Sequence, residues 1–178
     1  MDCLFSRSGA FLAGVLILAC TAASRPIDAV APVTLGTFDS RAVAIAWFHS
    51  PAGQDELAGL HEELAAAQAA GDEDRVAALE AQGPELQARL HRMAFSTAPV
   101  GHLIELIRDD LKTIAAEAGV DAIVSKWDVV YQAPGTTFVD VTDALILAFG
   151  PEERGLRAAR EVMGTKPVPL DELEEHEH

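Results

Sequence analysis

The stretch IAAEAGVDAIVSKWDVVYQAPGTTFVDVTDALILAF, residues 114–149, packs a helix end, two strand patterns and a capped helix together with almost no slack. Gly119 closes the amphipathic run before it, since glycine adopts the left-handed C-cap conformation without a Cβ penalty. AIVS at 122–125 is predicted to be a short buried strand. Lys126, Trp127 and Asp128 then form a turn, and VVYQ at 129–132 returns as the second strand of a hairpin. Pro134 and Gly135 stop that strand. A helix follows over 143–149, capped by Thr142 or Asp140 and ended by Gly150-Pro151.

Working outward, GTFDSRAVAIAWFHSPAG at 36–53 supplies the other half of the same small β-body. VTLGTFD at 33–39 alternates like a short strand, and Asp39 or Ser40 can cap a helix whose buried face holds Val43, Ala46 and Trp47. By β-propensity alone, AVAIAWF would also continue as strand. Between the two halves lies a helical excursion over 54–118. Leu57, Leu60, Leu64 and Ala67 recur at steps of 3, 4 and 3 with acids between them, the spacing of a coiled-coil seam. Residues 71–74 (GDED) are either the tip of a helical hairpin or a solvated irregularity. Val76, Leu79, Leu86, Leu90 and Met93 resume the spacing, and Gly83-Pro84 among them is expected to break or restart the helix. FSTAPV at 95–100 is a second interruption. Leu103, Ile104, Ile107, Leu111, Ile114 and Ala118 then make the best amphipathic run in the sequence. After Gly150, a short helix around 152–163 precedes PVPLDELEEHEH, too polar and Pro-rich to order itself.

These patterns define an α+β fold: a β-body of about three short strands, from residues 33–53 and 119–149, with a protruding antiparallel α-helical coiled-coil hairpin over 54–118. Residues 150–178 form an acidic tail. Residues 1–23 read as an export signal, with Arg7 ahead of the short apolar run AFLAGVLILA and small residues at the cleavage position. Residues 24–32 are a Pro-containing leader. Cys20 follows a weak lipoprotein-like box, so it is either discarded with the signal or lipidated, and lipidation is the one route to membrane contact. The expected location is the periplasm, or the envelope membrane if Cys20 carries lipid. Cys3 and Cys20 are the only cysteines, so the mature domain must be held by packing without a disulfide. Aromatic residues are only 6%, and alanine-rich helices bury little area each, which favours burial against a partner subunit.

The net charge of −15, with no basic stripe, argues against nucleic-acid binding. His61-Glu62-Glu63 lacks the second His four residues on that a helical zinc-protease motif needs. His176 and His178 sit on a tail with no fixed geometry, while His49, His91 and His102 are isolated. Asp109 and Asp110 point about 100° apart on a helix, and Asp140 with Asp143 reads as a cap. No nucleophile elbow or phosphate loop is present. No catalytic, cofactor or metal site is therefore expected, and the chain is not read as an enzyme. Trp47, Phe48, Trp127 and Tyr131 are assigned to the core of the β-body, so that Trp127→Ala would cost about 3–5 kcal/mol.

Five short motifs in order, Phe38-Asp39-Ser40-Arg41, Ser50-Pro51-Ala52-Gly53, Gly119-Val120-Asp121, Val129-Val130-Tyr131 and Asp140-Val141-Thr142, resemble the Skp/OmpH family of periplasmic chaperones over 33–149. The resemblance implies a homotrimer with a shared barrel and helical arms that enclose unfolded outer-membrane proteins. It implies an ATP-independent holding function without a cofactor. The client-contact candidates are Leu57, Leu60, Leu64, Leu86, Leu90 and Met93. The arm departs from the family pattern in being acidic, short and interrupted. The alternative expectation is a non-catalytic structural or adaptor protein of the envelope that keeps the fold without holding clients.

Overall fold

The computed structural model describes residues 33–175, and over these the chain is an α+β fold built on a small parallel sheet. β1 (Leu35–Phe38) passes through Asp39 into α1 (Ser40–Phe48). α2 (Pro51–Ala70) and α3 (Glu73–Phe95) follow. Next come α4 (Gly101–Ile104), a 3-10 turn at Glu105–Ile107, and α5 (Arg108–Ala118). β2 (Ala122–Ser125) and β3 (Phe138–Asp140) complete the sheet. The chain then forms α6 (Thr142–Ala148), α7 (Glu153–Met163) and α8 (Leu170–Glu175). Proposed signal, leader and Cys20 all precede the described residues.

The sheet order is β2-β1-β3, with β1 parallel to both neighbours. Leu35 lies opposite Ala122 and Phe138, and Thr37 opposite Val124 and Asp140. This overturns the hairpin expected over 122–132. Two strands parallel to the same neighbour cannot be joined by a tight turn, because the chain must first return to the end of the sheet where it started. Residues 129–132 belong to that return. Val130 and Tyr131 are 98% and 77% exposed, so Tyr131 is not part of the core. The third strand is Phe138–Asp140 instead.

α1 occupies the interior. Seven of its residues are buried, and α3, α6 and α7 all pack on it, which is how a helix apolar nearly all round is accommodated. Val43, Ala46 and Trp47 are buried as expected. Leu103, Ile107 and Ile114 join the same core, together with Leu145, Ile146 and Ala159. Residues 101–118 therefore pack with the body rather than forming part of an arm, and the 3-10 turn divides the single amphipathic helix expected there. α7 likewise lies against α1, so the region after Gly150 is not simply a solvated tail. The end is also more ordered than expected up to Glu175. The Val168 N–H donates to the Phe95 carbonyl at 2.8 Å, and α8 touches α3. Residues 176–178 lie outside the described part.

The step from α1 to α2 is pinned by Ser50. Its hydroxyl donates to the Trp47 carbonyl at 2.6 Å and accepts from the Gly53 N–H at 3.1 Å, while Pro51 starts the helix. Gly53 is required by close approach, since a Cβ there would lie 2.2 Å from the Trp47 carbonyl oxygen. Pro84, expected to interrupt α3, sits inside it. A proline removes one backbone donor and crowds the preceding turn, yet Leu79, Leu86 and Leu90 on either side still line one groove, so the helical register is kept across it.

A buried Asp39–Arg41 pair, with the half-buried Lys126 beside it, ties these elements together. Asp39 caps α1 by accepting from the Arg41 N–H at 3.0 Å. Its carboxylate also accepts from Arg41 Nε at 3.1 Å, Arg41 Nη2 at 2.8 Å and Lys126 Nζ at 2.8 Å. Asp39 and Arg41 are 0% and 1% exposed. The Arg41 guanidinium reaches on to Thr165, donating to its carbonyl at 3.1 Å and its hydroxyl at 3.3 Å. The Asp39 N–H donates to Thr142 Oγ1 at 3.0 Å, and Asp140 accepts from the Thr142 N–H and hydroxyl. The half-buried Trp127 ring covers both cations, with Arg41 Cζ at 5.1 Å and Lys126 Nζ at 4.5 Å from its centroid. Trp127 is thus a cover over charge rather than the apolar centre of the core.

Burial alone would raise the Asp39 pKa, but the hydrogen bonds from Arg41 and Lys126, with their charges, reverse it and hold the carboxyl below its ordinary 3.8. With the folded pKa depressed, the stabilisation is complete above the unfolded value of 3.8 and is lost as pH falls through the folded value. Asp39→Ala should lower stability at neutral pH by about 3–5 kcal/mol in urea titrations, because it strands Arg41. It should also flatten the acid limb of the stability profile. A loss below about 1 kcal/mol would show the pair to be dispensable. A second comparison isolates packing. Gly53→Ala should destabilise by about 1–3 kcal/mol, whereas Gly59→Ala, at a helical position with open space around it, should stabilise by up to about 1 kcal/mol. Thermal denaturation of the two variants gives the signs directly.

Candidate functional site

α2 and α3 are joined by a two-residue turn and pack on each other. Gly71 takes the left-handed conformation (φ 68°) that ends α2, and Asp72 begins α3 by accepting from the Arg75 N–H at 3.0 Å. The segment read as either a hairpin tip or an irregularity is therefore a turn between two helices. Arg75 pairs with Glu63 across the two helices, with both side chains about half exposed, so the pair contributes only tenths of a kcal/mol.

The apolar seam is closed unevenly. Ala67 and Leu79 are buried, whereas Leu57, Leu60, Leu64, Leu86 and Leu90 are only half-buried and line an open groove of about 1420 Å³. Its inner end is built by Ile45 and Phe48 of α1, His49 just after that helix, and Ala158 of α7. Phe95, 47% exposed, lines it from the end of α3. Glu56, Glu80, Glu85, Arg89 and Arg92 supply polar lining, with His49, His61 and His91. The His49 and His91 rings lie against Phe48 and Phe95, at 5.1 and 5.7 Å between centroids. A groove of this kind presents apolar area with a charged margin, the arrangement by which interaction surfaces differ from ordinary protein surface.

Of the six expected contact residues, five meet here. Met93 does not: it is 2% exposed and packs in the core with the α1 residues, because α3 reaches the body at its C-terminal end. Ile45, Phe48 and Phe95 line the groove without having been expected to. They lie in an interior helix and at a helix end, where periodicity carries no information about a neighbouring groove.

No arrangement for bond-making chemistry is evident around the buried Asp39. Its carboxylate is saturated by Arg41 and Lys126 and is held in the charged form. Asp109 and Asp110 are exposed in the first turn of α5, and Asp143 pairs with Arg160 at the surface. Among the described residues, no group of three or more His, Cys, Asp or Glu is placed to hold a metal ion, and no helix is long and apolar enough to cross a membrane. The chain matches no protein-family model, and no curated protein or solved structure is significantly similar to it.

The groove and the core should respond differently to truncation. Leu60→Ser and Leu86→Ser should reduce the fluorescence of bound Nile red at least about twofold while costing less stability than the 2–5 kcal/mol of a core truncation. Met93→Ala should show the reverse, with stability falling and dye binding kept. Absence of dye enhancement in the unmodified protein would mean that the groove is closed in solution.

Proposed function

We propose that the protein is an exported, ATP-independent holding chaperone that shields apolar segments of unfolded envelope proteins. The observation that carries this reading is the half-buried leucine groove between α2 and α3, which the described residues leave unfilled. A folded core would have closed those leucines; a surface that must receive exposed apolar chain keeps them available. In this reading the helix pair is an antiparallel coiled-coil arm, and the β-body anchors it. The motif order resembling the Skp/OmpH family supports the same view, as does the export signal at residues 1–23.

A homotrimer is part of the proposal. Phe38, Ile123 and Val139 turn one face of the sheet to the core, while Leu35, Val124 and Phe138, which the strand register places on the other face, are only half-buried. Among the described residues, both outer strands also end the sheet with unpaired edges. Association of three such sheets would cover the face and the edges together.

The test is aggregation of a urea-denatured outer-membrane β-barrel protein on dilution, followed by light scattering. Stoichiometric protein should suppress it without ATP, Leu60→Asp with Leu86→Asp should abolish the effect, and the protein's own mass should be that of a trimer. A well-folded trimer without any suppression would defeat the holding function. Capture of one folded partner in a saturable manner would favour the adaptor reading instead.

A further inference from the structure

The groove's chemistry also bears on which segments it takes, an inference that rests on the holding function proposed above. Its walls are α-helices whose backbone groups, apart from the carbonyl left unpaired by Pro84, are bonded within the helix, so they offer no ladder of partners to the N–H and C=O groups of an extended occupant. A helical occupant satisfies its own backbone and needs only an apolar stripe to lay against the leucines. From Leu79 to Leu90 the wall of α3 runs about 17 Å, long enough for roughly three turns of a third helix. The volume, about 1420 Å³, exceeds that of ordinary small-molecule pockets and suits a peptide segment.

Charge decides the rest. α2 carries Asp55, Glu56, Glu62 and Glu63 and no Lys or Arg; of these carboxylates Glu56 lines the groove, while Glu63 pairs with Arg75. Across the groove Glu80 and Glu85 add two more carboxylates. Glu56, Glu80 and Glu85 are exposed and enter no ion pair with a described residue. The bases on the lining, Arg89 and Arg92, are confined to the end of α3 nearest the body. A negatively charged margin around an apolar floor attracts cationic chains and repels acidic ones at ranges up to the Debye length.

We infer that the groove selects cationic amphipathic helices, apolar on one side and flanked by Lys or Arg, over neutral or acidic segments of the same apolar pattern. Acidic segments of the same apolar pattern are disfavoured by the same field.

Three fluorescein-labelled peptides of about 14 residues, with leucines at helical spacing and Lys, Gln or Glu on the polar side, are titrated with the protein and followed by anisotropy. The Lys peptide should bind about tenfold more tightly than the Gln peptide at low salt, and the Glu peptide more weakly still. The advantage should shrink as salt is raised. In the triple variant Glu56→Gln, Glu80→Gln, Glu85→Gln the Lys and Gln peptides should bind alike, whereas Leu60→Asp should weaken every peptide. Circular dichroism checks that both variants remain folded. Equal affinity for all three peptides in the unmodified protein, or selectivity that survives the triple variant, would overturn the inference. If no peptide binds but aggregation of the denatured β-barrel protein is still suppressed, charge selection fails and holding stands. If Leu60→Asp lowers the protein's own mass while no peptide binds, the occupant is a second copy and the inference is overturned.

Discussion

The fold depends on one buried ion pair. Asp39 ends β1 and starts α1, and its carboxylate gathers the side chain of Arg41 from the helix and that of Lys126 from the end of β2. Through Thr142 the same corner is joined to the start of α6, and through Thr165 to the chain beyond α7. A charge taken wholly out of water is tolerated only when its partners satisfy it. Arg41 therefore does more than neutralise Asp39: with two bonds to the carboxylate and others to Thr165, it fixes the relative position of segments more than a hundred residues apart.

That anchor frees α2 and α3 from carrying the core. α2 buries only Gly53 and Ala67, and α3 only Leu79 and Met93. The small Ala67 is buried in the contact, but beyond it the leucines have no full set of neighbours, since alanine and glycine at intervening positions cannot fill the space. The incomplete closure is thus a consequence of composition. It also leaves apolar area open between the two helices, the feature on which the proposed holding function rests.

Features governed by neighbours along the chain were legible from residue type. Asp39 as one of two candidate caps, Gly119 and Gly150 as helix ends, and the leucine seam all follow from local backbone requirements, whereas α2 starts at Pro51, ahead of the helical excursion expected from residue 54. Where the reading failed, a distant partner decided the outcome. VVYQ has strand character, but β2 pairs in parallel with β1, and the chain after it must travel back rather than turn. Met93 continues the seam of its own helix, yet α1 claims it for the core. Arg41 stands two residues after Asp39 at the head of an apolar run, but its burial depends on Thr165 and the Trp127 ring, which lie far along the chain.

By itself the sequence determined the class of fold, most helix boundaries and five of the six leucine-type positions that now line the groove, because hydrophobic period and capping are set within a few residues. Only the tertiary structure decided strand direction, the burial of the Asp39–Arg41 pair and the openness of the groove. These depend on which surfaces meet across long stretches of chain, and no local pattern encodes the meeting.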